Sequence, residues 1–184
     1  MKHEKPHIAV VYANEQGATR DIAEFIYTEL AAHGAAVELA DIDHAPDLSR
    51  FDTLVLGSAV RDGDFPPAVV RYAQAHQNEL VDHDVWLFGV GLNSALRGPI
   101  GRRVSQMVPK RVAALRDRIV AHDYRAFAGY YDRTGISPRS RLVYRLLGGR
   151  GYGDLRDWVA IRAWTEAIAC SLRLPQARCI TIHP

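Results

Sequence analysis

The sequence predicts an α/β fold: an open, doubly wound sheet of five parallel strands in the order 2-1-3-4-5. Three observations predict it. Short apolar runs alternate with helix-period segments along the 184 residues, without an evident break. The runs at 8–13, 53–59 and 85–91 are apolar almost throughout, as strands covered on both faces are. The first run is followed by a polar turn that reaches Gly17 where a helical pattern opens, the junction expected of a βα unit.

The elements follow in order. Residues 8–13 form the first strand, and a helix over 17–33 puts Ile22, Ile26 and Leu30 on one face before Gly34 ends it. Strands are predicted at 37–42 and 53–59. Pro66 and Pro67 open a helix to about residue 80, because proline is tolerated in a first helical turn. Residues 85–91 give a fourth strand, 98–119 a helix interrupted at Pro109, and 126–130 a fifth strand. The last helix spans 154–174, with Trp158, Ile161, Thr165, Ile168 and Leu172 along one stripe. The whole chain, 1–184, reads as one domain, with an insertion at about 131–153 between strand five and the last helix.

The strand order brings the loops after strands one, three and four to one switch point at their carboxyl ends. These loops contain Asn14, Glu15, Gln16, Gly17, Ala18 and Thr19; Ser58, Ala59, Val60, Arg61, Asp62 and Gly63; and Gly91, Leu92, Asn93 and Ser94. Backbone N–H groups at the opening of the first helix, with the positive end of its dipole, make an anion site. Gly17 lets the backbone close on a phosphate. No G-x-x-x-x-G-K-[ST] string and no G-x-G-x-x-G after the strand occurs, which argues against a triphosphate loop and a dinucleotide turn. Uncharged donors suit a single terminal phosphate, as on FMN. An ordinary βα turn without a ligand is the alternative.

Composition sets further bounds. With 48% apolar and 24% charged residues the chain is globular. The polar start, leading straight into a strand, predicts no signal peptide, and no apolar run is long enough to span a bilayer. Cys170 and Cys179 do not make a disulfide framework, so reduced thiols and a cytoplasmic location are expected. The eight histidines lack metal-ligand spacing, and no G-x-S-x-G elbow surrounds Ser58. A receiver domain needs acidic residues ending strands one and three, where this chain has Ala13-Asn14 and Ser58-Ala59. Between residues 97 and 150 there are 13 basic and three acidic residues, a balance of +10, against −8 for the remainder. Such a bias is either a solvated basic face or a surface for an anionic partner.

The segments YANEQGATRDIA (12–23), PDLSRFDTLVLGSAVRDG (46–63), VGLN (90–93), Gly148-Gly149 and Asp157-Trp158 carry a family likeness. In order and spacing, over nearly the whole chain, they resemble flavodoxin-fold FMN proteins, in particular the menaquinone-dependent protoporphyrinogen IX dehydrogenases. The resemblance implies FMN held by the three loops named above. It also implies that a peptide at Asp62-Gly63 turns toward N5 of the flavin, so that Gly63→Ala would lower the potential of the first electron step. Two departures stand out. Flavodoxins usually carry Ser or Thr where Asn14 and Gln16 stand, and they stack an aromatic on the ring from the third or fourth loop. Here Phe65 is the nearest aromatic, as a stacking or a core residue, and Arg61 either covers a ring face or is a surface charge.

Within the insertion, Arg139, Arg141 and Arg145 are interspersed with Leu142, Leu146 and Leu147, as in a short basic amphipathic helix. Such a helix packs on its own domain or meets an anionic membrane. Relatives carry a longer insertion here, which leaves porphyrin specificity open. No side chain stands out as an acid or base, so catalysis is flavin-mediated, with no metal. Three functions follow: an oxidoreductase acting on a quinone or porphyrinogen, an electron carrier to a redox protein, or a flavin-free binding module. A small-molecule or protein redox partner is expected, with peripheral membrane contact and no nucleic acid.

Overall fold

The computed structural model describes residues 5–13, 17–91, 107–131 and 153–175. Strands β1 (His7–Ala13), β2 (Ala36–Asp41), β3 (Thr53–Ala59), β4 (Asp84–Val90) and β5 (Asp123–Phe127) form one sheet in the order β2-β1-β3-β4-β5. Every neighbouring pair is parallel. The predicted fold class and strand order are those observed.

Alternation along each strand sends side chains to two cores. On one face Ile8, Val10, Val55 and Phe88 meet Ile22, Ile26 and Leu30 of α1 (Ala18–Ala32). The same face meets Ile161, Trp164 and Ile168 of α5 (Trp158–Ser171). On the other, Ala9, Val11, Leu54, Leu56 and Leu87 pack on α2 (Pro67–Ala75), α3 (Gln77–Val81) and α4 (Lys110–Arg118). Covering both faces accounts for the nearly continuous apolar runs.

Three predicted boundaries shift. The helix opened by Pro67 breaks at His76 (φ −106°, ψ 18°), separating α2 from α3. The fifth strand starts at Asp123, three residues early: it pairs Asp123 with Trp86 of β4, and the Asp123 carboxylate accepts from Trp164 Nε1 at 2.8 Å. Polar Asp123 and exposed Arg125 hide this edge strand from an apolar pattern. The last helix starts at Trp158, where the Asp157 carboxylate accepts from Ala160 N–H at 3.0 Å. Upstream, β6 (Tyr130–Tyr131) and β7 (Gly153–Asp154) form an antiparallel ribbon. Most of the predicted insertion, 132–152, with Arg139, Arg141 and Arg145, lies outside the described residues, as does Cys179. Among the described residues no helix is long and apolar enough to cross a membrane.

Candidate functional site

Beyond the carboxyl end of β1, Gly17 opens α1 with φ 77° and ψ −46°, a left-handed conformation that favours glycine. Its carbonyl accepts from Asp21 N–H at 3.1 Å, the first turn of the helix. Having no side chain, Gly17 cannot cap the first-turn N–H groups as Ser or Asp would. Among the described residues nothing lies within 4 Å of where its Cβ would stand. The glycine is therefore required by backbone conformation, and no described side chain fills the space its Cβ would take. Ala18 and Thr19 are buried just behind it.

The ends of β3, β4 and β5 are stitched together. Val60 N–H donates to Val90 O at 2.8 Å, and Gly91 N–H donates to Phe127 O at 3.0 Å. A Cβ on Gly91 would stand 3.4 Å from Val60 O, so the two loops meet closely. Ser58 is fully buried, and its hydroxyl donates to Ala59 O at 3.2 Å. Beyond it the N–H groups of Arg61 and Asp64 donate to each other's carbonyls at 3.0 and 2.9 Å. Between them Asp62 (φ 50°) and Gly63 (φ 78°) both take positive φ, as a type I′ turn demands. The Asp64 carboxylate accepts from Phe65 N–H and from Arg111 Nη1, each at 2.9 Å, which ties the turn to the start of α4.

Of the residues proposed from sequence, Gly17, Ala18, Thr19, Ser58, Ala59, Val60, Arg61, Asp62, Gly63 and Gly91 thus stand at one sheet edge. Asn14, Glu15, Gln16, Leu92, Asn93 and Ser94 lie outside the described residues. Phe65 is a core residue: it is buried and meets Tyr124 edge-on, with centroids 6.2 Å apart. The Tyr124 hydroxyl lies 2.4 Å from where a Gly89 Cβ would stand, and burial pushes the phenol up to about 12. It stays protonated at neutral pH.

Two residues at this end carried no usable signal in the sequence. Tyr130, three residues beyond Phe127, is an exposed aromatic at the edge where sequence reasoning found none. The sequence pattern marks it only as the end of a strand. Arg156 reaches from beyond β7 to the first turn of α1, where Nη1 meets Asp21 Oδ2 at 2.5 Å. Its Nε and Nη2 donate to the two Asp154 oxygens at 2.8 and 2.7 Å, and the guanidinium lies 4.7 Å from the Trp158 ring centroid. The two carboxylates raise the Arg156 pKa above its ordinary value, and Arg156 in turn holds Asp154 below the usual carboxylate range.

Comparison with known proteins accords with this geometry. The chain is 24% identical over 171 residues to the protoporphyrinogen IX dehydrogenase (quinone) of Escherichia coli K12, covering 85% of this chain and 88% of that protein. A short-chain flavodoxin associated with a non-canonical PDU bacterial microcompartment superposes with a TM-score of 0.55 at 13% identity. That match covers 90% of this chain and 98% of the flavodoxin. The rubredoxin oxygen:oxidoreductase of Desulfovibrio gigas also gives 0.55 at 13% identity, over 92% of this chain and 37% of that one. Likeness at such identities is one of fold. A family model described as a flavodoxin domain matches residues 9–139, most of the chain. The chain belongs to the flavodoxin domain family, a family of FMN-dependent redox proteins.

Proposed function

We propose that this single-domain chain is an FMN oxidoreductase acting on a quinone or a porphyrinogen. The observation that carries the reading is the alignment with a protoporphyrinogen IX dehydrogenase over most of both chains. An electron carrier is the second reading. Such carriers are usually acidic, and the +10 balance of residues 97–150 counts against it.

The residues present fit the cofactor. The glycine-opened start of α1, with Ala18 and Thr19, would hold the phosphate together with Asn14, Glu15 and Gln16, which precede it in sequence. The loops of Ser58–Gly63 and Gly91–Ser94, brought into contact at Val60 and Gly91, would border the ring. FMN supplies one- and two-electron chemistry at its ring when bound. The chain's part is to present N–H groups, limit ring exposure and leave one edge open to the redox partner. Arg139, Arg141 and Arg145 would draw the protein to an anionic membrane, each contributing about 1 kcal/mol near such a surface.

The test is direct. Apoprotein titrated with flavins is expected to bind FMN more tightly than FAD, and the loaded protein to reduce a quinone or oxidise protoporphyrinogen. Serine at positions 139, 141 and 145 should abolish co-sedimentation with anionic liposomes at low salt and raise KM for quinone, with FMN content unchanged. FAD binding as tight as FMN would overturn the cofactor. A loaded protein that ignores liposomes and turns over neither substrate would move the carrier reading ahead.

The turn geometry changes one expectation drawn from resemblance. Gly63 already uses positive φ in the observed turn, so Gly63→Ala strains this form by about 1 kcal/mol. Rotating the Asp62–Gly63 peptide would bring residue 63 to negative φ and place the strain on Asp62. Alanine at 63 is therefore expected to raise the potential of the first electron step, by up to about 40 mV for one electron. Potentiometric titration of the loaded variant checks it, and unchanged potentials would leave Gly63 a role in chain reversal alone.

A further inference from the structure

We infer that Arg156 is a specificity-determining positioning residue, which makes the site favour a phosphorylated flavin by offsetting the charge of Asp21 in the first turn of α1. The inference rests on the reading that the phosphate sits at the N-terminus of α1.

Asp21 donates its N–H to Gly17 O, so residue 21 lies one helical turn, about 5.4 Å along the axis, from the helix opening, and its carboxylate belongs to that first turn. A carboxylate there favours the helix dipole in the free protein. It opposes the arrival of a phosphate, a second anion at the same end. Arg156 offsets this conflict without touching the ligand, although its single positive charge is shared between Asp21 and Asp154. Its guanidinium meets Asp21 on one side and is held on the other by both oxygens of Asp154. Trp158 covers it, and Trp158 in turn packs on Phe25 of α1 at 5.1 Å between centroids. The Arg156 side chain is only 13% exposed, unlike the surface pairs Arg20–Glu24 and Arg50–Glu38. A charge fixed by three partners and shielded from water acts over a longer range than a mobile surface cation.

A residue that merely stapled β7 to α1 would affect any flavin alike. A residue that balances charge at the phosphate position affects FMN and spares riboflavin, which lacks the phosphate.

The experiment measures dissociation constants of FMN and riboflavin by fluorescence quenching, using full-length apoprotein. Relative to wild type, Arg156→Gln is expected to weaken FMN about tenfold and leave riboflavin within about twofold, a loss that shrinks at high salt. Asp21→Asn combined with Arg156→Gln should recover most of it. Asp21→Asn alone should tighten FMN severalfold with riboflavin unchanged, and this arm decides the matter if Arg156→Gln does not fold. Equal losses for both ligands in Arg156→Gln, or an unchanged or weaker FMN affinity in Asp21→Asn, would overturn the inference. Wild-type protein that binds both ligands equally would overturn it while leaving FMN binding intact. Protein that binds neither would overturn the FMN reading as well.

Discussion

Gly57→Ala is expected to destabilise the protein by about 3 kcal/mol, at the upper end of the usual range for an overpacked core. Gly57 sits in the middle of the sheet, in register opposite Phe88 of β4. The Phe88 ring lies across the space a side chain would need: a Cβ would stand 1.8 Å from Cζ, 2.1 Å from Cε1 and 2.4 Å from Cε2. The ring has no room to move aside. It is fully buried and packs on Phe127 and Trp164, each with centroids 6.2 Å away. In a domain of this size the loss corresponds to a fall in Tm of about 6–12 °C. Urea denaturation measures it. Phe88→Leu in the Gly57→Ala background should restore part of the loss, because the clash is with the ring; additive losses, or a cost below about 1 kcal/mol, would contradict the packing account.

Gly17→Val is expected to weaken FMN at least 100-fold, about 2.7 kcal/mol. The backbone at residue 17 has φ 77°, where a β-branched residue costs roughly 1–3 kcal/mol of strain. Among the described residues the valine meets no atom within 4 Å at its Cβ. Its methyl groups would crowd a phosphate held at the α1 N–H groups. Gly17→Ala shares the strain with less bulk and should fall between valine and wild type. Riboflavin affinity should change much less in both variants. Fluorescence titration with the two ligands, with circular dichroism to confirm folding, provides the check, and FMN binding that survives valine would remove the phosphate from this turn.

The architecture is largely legible in the sequence. Apolar runs at 8–13 and 53–59 match β1 and β3, since strands buried on both faces must be apolar at successive positions. Ile22, Ile26 and Leu30 recur at helical spacing and are all fully buried. Asp62-Gly63 takes the two positive φ angles that this dipeptide favours. These signals are local: each is a property of a few consecutive residues, and the strand order followed from connecting them.

The sequence by itself therefore determined the sheet, its winding and the edge at which three loops converge. The tertiary structure decided the rest. It placed β5 by pairing polar Asp123 beside Trp86 and to Trp164, where edge position removes the need for a continuous apolar run. It assigned Phe65 to the core, and it set Arg156 against Asp21, 135 positions away in the chain. Periodicity and turn chemistry report what a residue needs from its neighbours in sequence. A charge pair formed across the fold leaves no such pattern, because either partner alone reads as an ordinary surface charge until the chain brings them together.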